Sequence, residues 1–196
     1  MADYCTVAQV KALLSASESG DDALLADLVT RASAMVDSYT RRRTFAERIE
    51  TRYYTPGEDT SGRLLFLDDD LLSITTLTNG DGTTIAATDY VLCPANSLPA
   101  WGIRLKASSG ISWTYEDDPE DAISVAGEWG YCTEANRPAD ITQATARLAL
   151  WLYRQREAPF SRVGNAITGE YEVPVALPDD VRAILDRYRR LVWGGV

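Results

Sequence analysis

No histidine occurs anywhere in the 196 residues, and lysine is limited to Lys11 and Lys106. The first absence excludes Ser-His-Asp and Cys-His nucleophilic sites and imidazole metal sites with them. It also removes the commonest general base near neutral pH. Catalysis would fall to carboxylates, tyrosine, cysteine or the two lysines. The chain is therefore read as a non-enzyme with no cofactor. Cysteine is scarce as well: Cys5, Cys93 and Cys132 are far apart, odd in number and form no CxxC pair. That pattern indicates neither a zinc knuckle nor a disulfide framework, so all three are expected to be buried and inert. No stretch approaches the roughly 20 apolar residues that span a bilayer. The opening MADYCTVAQV lacks the basic start and apolar run of a secretory leader, which points to a protein that folds in a cytoplasm.

What is present is an ordinary globular composition, 45% hydrophobic and 24% charged, on a chain long enough for one generous domain or two small ones. The net charge of −10 is unevenly spread. Residues 1–44 carry six acids against five bases, residues 45–139 sixteen against six, and residues 140–196 seven against eight. All of the excess lies in the middle. An acidic surface does not grip nucleic acid, which needs clustered bases. It suits a passage that DNA crosses without sticking.

Thr6 is a plausible N-cap for a short helix through Val7, Val10, Leu13 and Leu14. Asp21 or Asp22 can cap a second, roughly 30 Å helix whose apolar positions from Leu24 to Tyr39 follow the 3.6-residue period. Arg41, Arg42 and Arg43 close it, at the negative end of the helix dipole. From Phe45 the texture becomes β-like, with runs at 49–54, 63–67, 73–78, 90–92, 103–106, 111–115 and 122–129, punctuated by turn signals. Asn79-Gly80-Asp81-Gly82 between two Thr-rich runs is the best hairpin signal. Helical sequence resumes at Asp140 and runs to about Glu157. Ile141, Ala144, Leu148, Trp151 and Leu152 form one apolar face; Ala146, Ala149, Leu150 and Tyr153 form another. A helix apolar on most sides is buried on most sides, either as the centre of its domain or between its domain and a neighbouring subunit. Residues 158–177 make a long connection. Pro178 and Asp179 start a last helix with Val181, Ile184, Leu185, Tyr188 and Val192 on one side. The fold class is α+β: a helical frame (1–44 and 136–196) of two N-terminal helices, a central helix and a C-terminal helix, with an inserted antiparallel β-domain (45–135).

Two acidic stretches stand out. Asp68-Asp69-Asp70 cannot form a metal cluster from a strand, because alternate side chains point oppositely. It is expected as a solvated turn after the 63–67 run. The run 116–121, with Asp117, Asp118, Glu120 and Asp121, is expected as a solvated loop or the wall of a negative channel. Nothing in the spacing selects a carboxylate pair for glycoside hydrolysis around Glu128. Tyr53, Tyr54, Trp101, Trp113, Tyr115 and Trp129 could form a stacking platform, but aromatics alternating through strands usually pack the core. Arg41, Arg42 and Arg43 are expected to pair with carboxylates, within the subunit or across a boundary. Seventeen of the nineteen bases are arginine, whose rigid fork favours interfaces.

Several stretches in order carry a resemblance: the Leu24–Tyr39 helix followed by bases; Val125-Ala126-Gly127-Glu128-Trp129-Gly130-Tyr131; Pro138-Ala139-Asp140-Ile141 opening a helix that closes on Leu152-Tyr153-Arg154; and Leu177-Pro178-Asp179-Asp180-Val181 with Tyr188-Arg189-Arg190-Leu191. Together these resemble the head–tail connector proteins, also called adaptor or head-completion proteins, of long-tailed phages and gene-transfer agents. The resemblance covers nearly the whole chain, and its β-insert matches the longer members. It implies a virion protein at the head–tail interface, assembled in the host cytoplasm. It implies a dodecameric ring docked under the portal protein, extending the DNA channel and offering its far face to a stopper or tail-terminator protein. DNA would pass without specific binding, and the free chain could be a monomer. By position, Tyr188, Arg189, Arg190, Leu191, Val192 and Trp193 become the portal contacts. Ala146, Ala149, Leu150, Tyr153 and the three arginines become subunit contacts. Asp68, Asp69, Asp70, Asp117, Asp118, Glu120 and Asp121 become channel or tail-facing loops. The rival readings are a carboxylate enzyme or carbohydrate-binding module on the β-domain, and, within the same machine, a stopper or tail-completion subunit.

Overall fold

The structure, a computed structural model, describes residues 2–14, 21–155 and 177–190. It is α+β, with four α-helices and one antiparallel sheet of six strands among these residues. Two compact units form: Met1–Arg41 with Arg137–Val196, and Arg42–Asn136.

In the helical unit, α1 (Val7–Leu14) opens on a reciprocal cap. The Gln9 amide N–H donates to Thr6 Oγ1 at 3.2 Å, and the Thr6 N–H donates to Gln9 Oε1 at 2.8 Å. The second helix, α2 (Asp22–Thr40), follows, with Leu25, Leu28, Val29, Ala32 and Val36 buried at helical spacing. Asp21 holds the N-cap position without capping through its side chain. Its carboxylate instead accepts the Tyr153 hydroxyl at 2.5 Å. Arg41 ends α2 in the left-handed region, φ 57°, its N–H donating to Ser38 O at 3.2 Å. Tyr4 is fully buried, its hydroxyl on Asp37 Oδ1 at 2.5 Å and its backbone N–H on Ser33 Oγ at 3.0 Å. The doubly apolar helix is α3 (Ala139–Gln155), and it packs against α1, α2 and the short α4 (Asp179–Leu185). It is the central helix of its unit.

The last helix is shorter than its apolar spacing suggests. The α-helix stops at Leu185, tightens into a 3-10 turn over Asp186–Tyr188, and gives way to extended backbone at Arg189. Two bonds hold this ending: Tyr188 Oη donates to Asp140 Oδ1 at 2.7 Å, and the Arg190 N–H reaches Thr40 O at 2.8 Å. The second satisfies a carbonyl that the end of α2 leaves without a helical donor.

The β-unit contains β1 (Arg48–Tyr54), β2 (Thr60–Ser61), β3 (Leu64–Thr78), β4 (Tyr90–Cys93), β5 (Ala100–Leu105) and β6 (Ile123–Trp129), ordered β1-β6-β3-β5-β4 with β2 beside β3. The two runs expected at 63–67 and 73–78 are one 15-residue strand. Its first part pairs with β5, its last part with β6, and Leu71 pairs with both, opposite Ala100 and Trp129. Residues 111–115 are not a strand; Tyr115 makes one isolated bridge to Gly80. The buried Asn79 explains this. Its side-chain amide donates to Ser112 O at 2.9 Å and accepts the Thr114 N–H at 3.2 Å, supplying the bonds a neighbouring strand would give. The Asn79-Gly80-Asp81-Gly82 turn forms, with Asn79 N–H on Thr83 O and Ile85 N–H on Leu77 O, both at 2.8 Å. Leu65, Leu71, Leu77, Ile103, Leu105, Ile123, Val125 and Trp129 make the core, with Ile111 and Trp113 packed against it.

Candidate interaction surfaces

The acidic triplet is the first feature to correct. Asp68, Asp69 and Asp70 lie within β3, where its pairing passes from β5 to β6, and not in a solvated turn. Asp69 and Asp70 are buried, at 3% and 5% exposure. Neither is a loop side chain facing a channel. Three arginines hold them there. Arg42 pairs with Asp70, both side chains buried. Arg48 Nη2 and Arg52 Nη2 each meet Asp69 Oδ2 at 2.9 Å. Arg52 also reaches Asp68 Oδ1 at 2.7 Å and Glu50 Oε1 at 2.5 Å, and its guanidinium lies over the Trp129 ring at 4.5 Å. Arg42 lies over Tyr131 at the same separation, 4.5 Å. Three positive charges thus face four negative ones; the side chains of Arg42, Arg52, Asp69 and Asp70 are buried, which is tolerable only because each is paired, while Asp68 stays open to solvent.

The network shifts its members' acidities. Burial opposes charge on Asp68, but the hydrogen bond from Tyr54 and the Arg52 guanidinium outweigh it, and the carboxyl is held below its usual range. Glu50 is lowered against burial in the same way by Arg48 and Arg52. Carboxyls depressed in the folded state contribute stability that is complete above their unfolded value of about 4 and is lost as pH falls through the folded one. Acid titration followed by tryptophan fluorescence is expected to show the β-unit losing stability below about pH 4. A flat profile down to pH 2 would contradict the role given to this network.

The remaining sequence candidates divide. Ala146 and Ala149 are buried in the helical unit, so they present no surface to a neighbour. Arg42 is likewise used internally, and Tyr153 is half-buried on Asp21. Leu150 is half-buried and lines a groove of about 260 Å³ with Leu13, Trp151 and Val181, rimmed by Arg147 and Arg154. Arg41 and Arg43 are exposed. Tyr188 is tied to Asp140, and Arg189 lies 5.7 Å from the Tyr39 ring. Leu191, Val192 and Trp193 lie outside the described residues. Asp117, Asp118, Glu120 and Asp121 are exposed, and a hydrogen bond shared with Asp118 raises the Glu120 carboxyl.

The aromatics form no single platform. Tyr54 and Trp129 are in the core with ring centroids 6.4 Å apart, while Tyr53 points to the opposite face of β1 at 59% exposure. Phe66 and Trp101 stack with each other at 6.2 Å. Cys5, Cys93 and Cys132 are buried free thiols, and burial raises Cys5 to about 11. Among the described residues no group of three or more His, Cys, Asp or Glu could hold a metal ion, and no helix is long and apolar enough to cross a membrane.

Ile49 is the surface residue that sequence reading passed over. On β1, Arg48, Glu50, Arg52 and Tyr54 turn inward while Ile49, Thr51 and Tyr53 turn outward, and Ile49 is 84% exposed. This inverts the usual alternation. The signal available was Arg-x-Glu-x-Arg at period two, a charged face that needed carboxylates to bury against.

Searching with the sequence, no family model and no curated protein matches the chain. Solved structures do match. A chain of the neck of an empty gene transfer agent particle, computed with C6 symmetry, superposes with a TM-score of 0.59 at 18% identity, covering 97% of this chain and 92% of that one. The fold is that of a gene-transfer-agent neck chain. The native neck computed with C12 symmetry gives 0.59 at 19% identity, and the native virion gives 0.56 at 19%, both over the same 97% and 92%. The β-insert is part of this likeness, since the match spans almost all of both chains.

Proposed function

We propose that this chain is a structural protein of a virion neck, without catalytic activity. It serves as the head–tail adaptor that docks as a ring under the portal, extends the DNA channel and receives the stopper or tail terminator. The observation that carries this reading is the neck-chain fold shared over nearly the full length of both proteins. The C6 and C12 symmetries of those necks support an oligomeric ring. The exposed run with Asp117, Asp118, Glu120 and Asp121 suits a channel wall, because it repels phosphate. The buried Asp69 and Asp70 have no part in it. Arg189, Arg190, Leu191, Val192 and Trp193 are the proposed portal contact: arginine beside a tryptophan is the chemistry of an interface anchor. Asp69 and Asp70 offer nothing to the carboxylate-enzyme reading, since both are buried and paired with arginine.

Cryo-electron microscopy of purified particles tests the reading. The chain is expected between head and tail as a closed ring, and its absence from the particles would refute the proposal. In a capture assay on purified portal, deleting residues 189–196 is expected to abolish retention. Undiminished capture would move the contact elsewhere on the chain.

A further inference from the structure

We propose that subunits join head to tail through the sheet, the β1 edge of one copy pairing with the β4 edge of a second copy. The inference rests on the neck reading and names the surface by which the ring is built. Three independent features of the β-unit carry it.

The sheet order ends in β1 on one side and β4 on the other, so among the described residues both outer edges are open. An open edge offers a row of backbone donors and acceptors, and proteins that do not use such an edge normally cover or blunt it. Both edges also expose apolar side chains. Ile49 and Tyr53 stand out from β1, Val91 from β4 at 38% exposure, and Leu98 at 58% lies just beyond β4.

The edges differ in charge. Glu47 precedes β1 and is exposed, and Glu128 sits opposite Ile49 on β6. At the other end of β1, the Asp121 N–H donates to Thr55 Oγ1 at 3.1 Å, which brings the acidic run to the same edge. Beside β4 the charge is mostly positive. Arg104 is paired opposite Val91, and Lys106 follows β5. Asp89, whose carbonyl accepts the Lys106 N–H, is the half-buried acid there. Two β1 edges would set acid against acid, which disfavours a two-fold dimer. A β1 edge meeting a β4 edge sets acid against base and isoleucine against valine. Unlike surfaces joined in this way are heterologous, the contact that closes into a ring when its rotation permits.

Lys106 makes the test direct, because Lys11 is the only other lysine. Equal amounts of full chain labelled with nitrogen-14 and nitrogen-15 are mixed at millimolar concentration and treated with a carbodiimide, which joins lysine to carboxylate without a spacer. Mixed-isotope links are expected from Lys106 to Glu47, Glu128 or the acidic run. They are expected to fall about tenfold in the variant I49S/Y53S, the usual scale for losing anchor side chains from an interface. Both positions are exposed, so the thermal melt of that variant should match the parent. Mixed links from Lys11 alone, none at all, or links unchanged in the variant would overturn the edge pairing. A ring seen in particles with other surfaces in contact would overturn it too, while leaving the neck reading intact. Loss of the neck reading would instead show as absence of the chain from particles.

Discussion

Arg52→Ala is expected to lower the stability of the β-unit by about 3–5 kcal/mol, because it removes one partner of a buried ion network and leaves the other charged. Arg52 is 6% exposed and is the member that touches most of the others: Glu50, Asp68, Asp69 and the face of Trp129. Without it, the buried Asp69 keeps one arginine, Arg48, and the Asp70 N–H. Urea unfolding followed through tryptophan fluorescence measures the loss. A change below about 1 kcal/mol would mean that the network rearranges without cost. A telling control replaces Arg52, Asp68 and Asp69 together with apolar residues of similar volume. That variant is expected to be more stable than Arg52→Ala, since no buried charge is then left alone.

Gly127→Ala should be nearly as damaging. A Cβ at this position would meet the Ser73 carbonyl oxygen at 2.1 Å and the Ile74 Cα at 3.2 Å, backbone atoms that no rotamer change can move. Either β6 parts from β3 or the chain bends, and overpacking of this kind costs about 3 kcal/mol. Thermal unfolding of Gly127→Ala, compared with the parent, reads the effect; an unchanged midpoint would show that the two strands are not held at the separation described. The same principle applies at Gly130, where φ is 141° and a Cβ would lie 2.5 Å from Ala46 O.

These two positions explain what the sequence motif Val125-x-Gly127-x-Trp129-Gly130-Tyr131 is for. It reads as a family mark, and its physical content is packing. Val125 and Trp129 fill the core, Gly127 lets β3 approach, Gly130 turns the chain out of the sheet, and Tyr131 lies under Arg42. The helices were legible because their apolar residues repeat at 3.6 and their caps are local. The frame around an inserted antiparallel sheet was legible for the same reason. Strand β3 was not. Three consecutive aspartates signal a turn by every local rule, and only arginines from residues 42, 48 and 52 make a strand through them affordable. The outward turn of Ile49 follows from the same pairing and was hidden with it. Ala146 and Ala149 were misplaced for a different reason. Periodicity shows that a helix is covered on two sides without showing what covers it, and here α1, α2 and α4 do.

Where the β-unit begins and ends, the chain is stitched to itself. The Tyr131 N–H donates to Phe45 O at 3.0 Å, and Ala46 bridges Cys132 in parallel. The two ends of a ninety-odd-residue excursion, Arg42–Asn136, therefore leave side by side. In genetic terms such a unit is a cassette: an insertion with adjacent ends can lengthen, shrink or be exchanged without asking the host frame to move its own splice points. Variation in the size of this excursion among neck proteins would then be gained or lost in whole hairpins, with the Phe45–Tyr131 seam as the constant boundary.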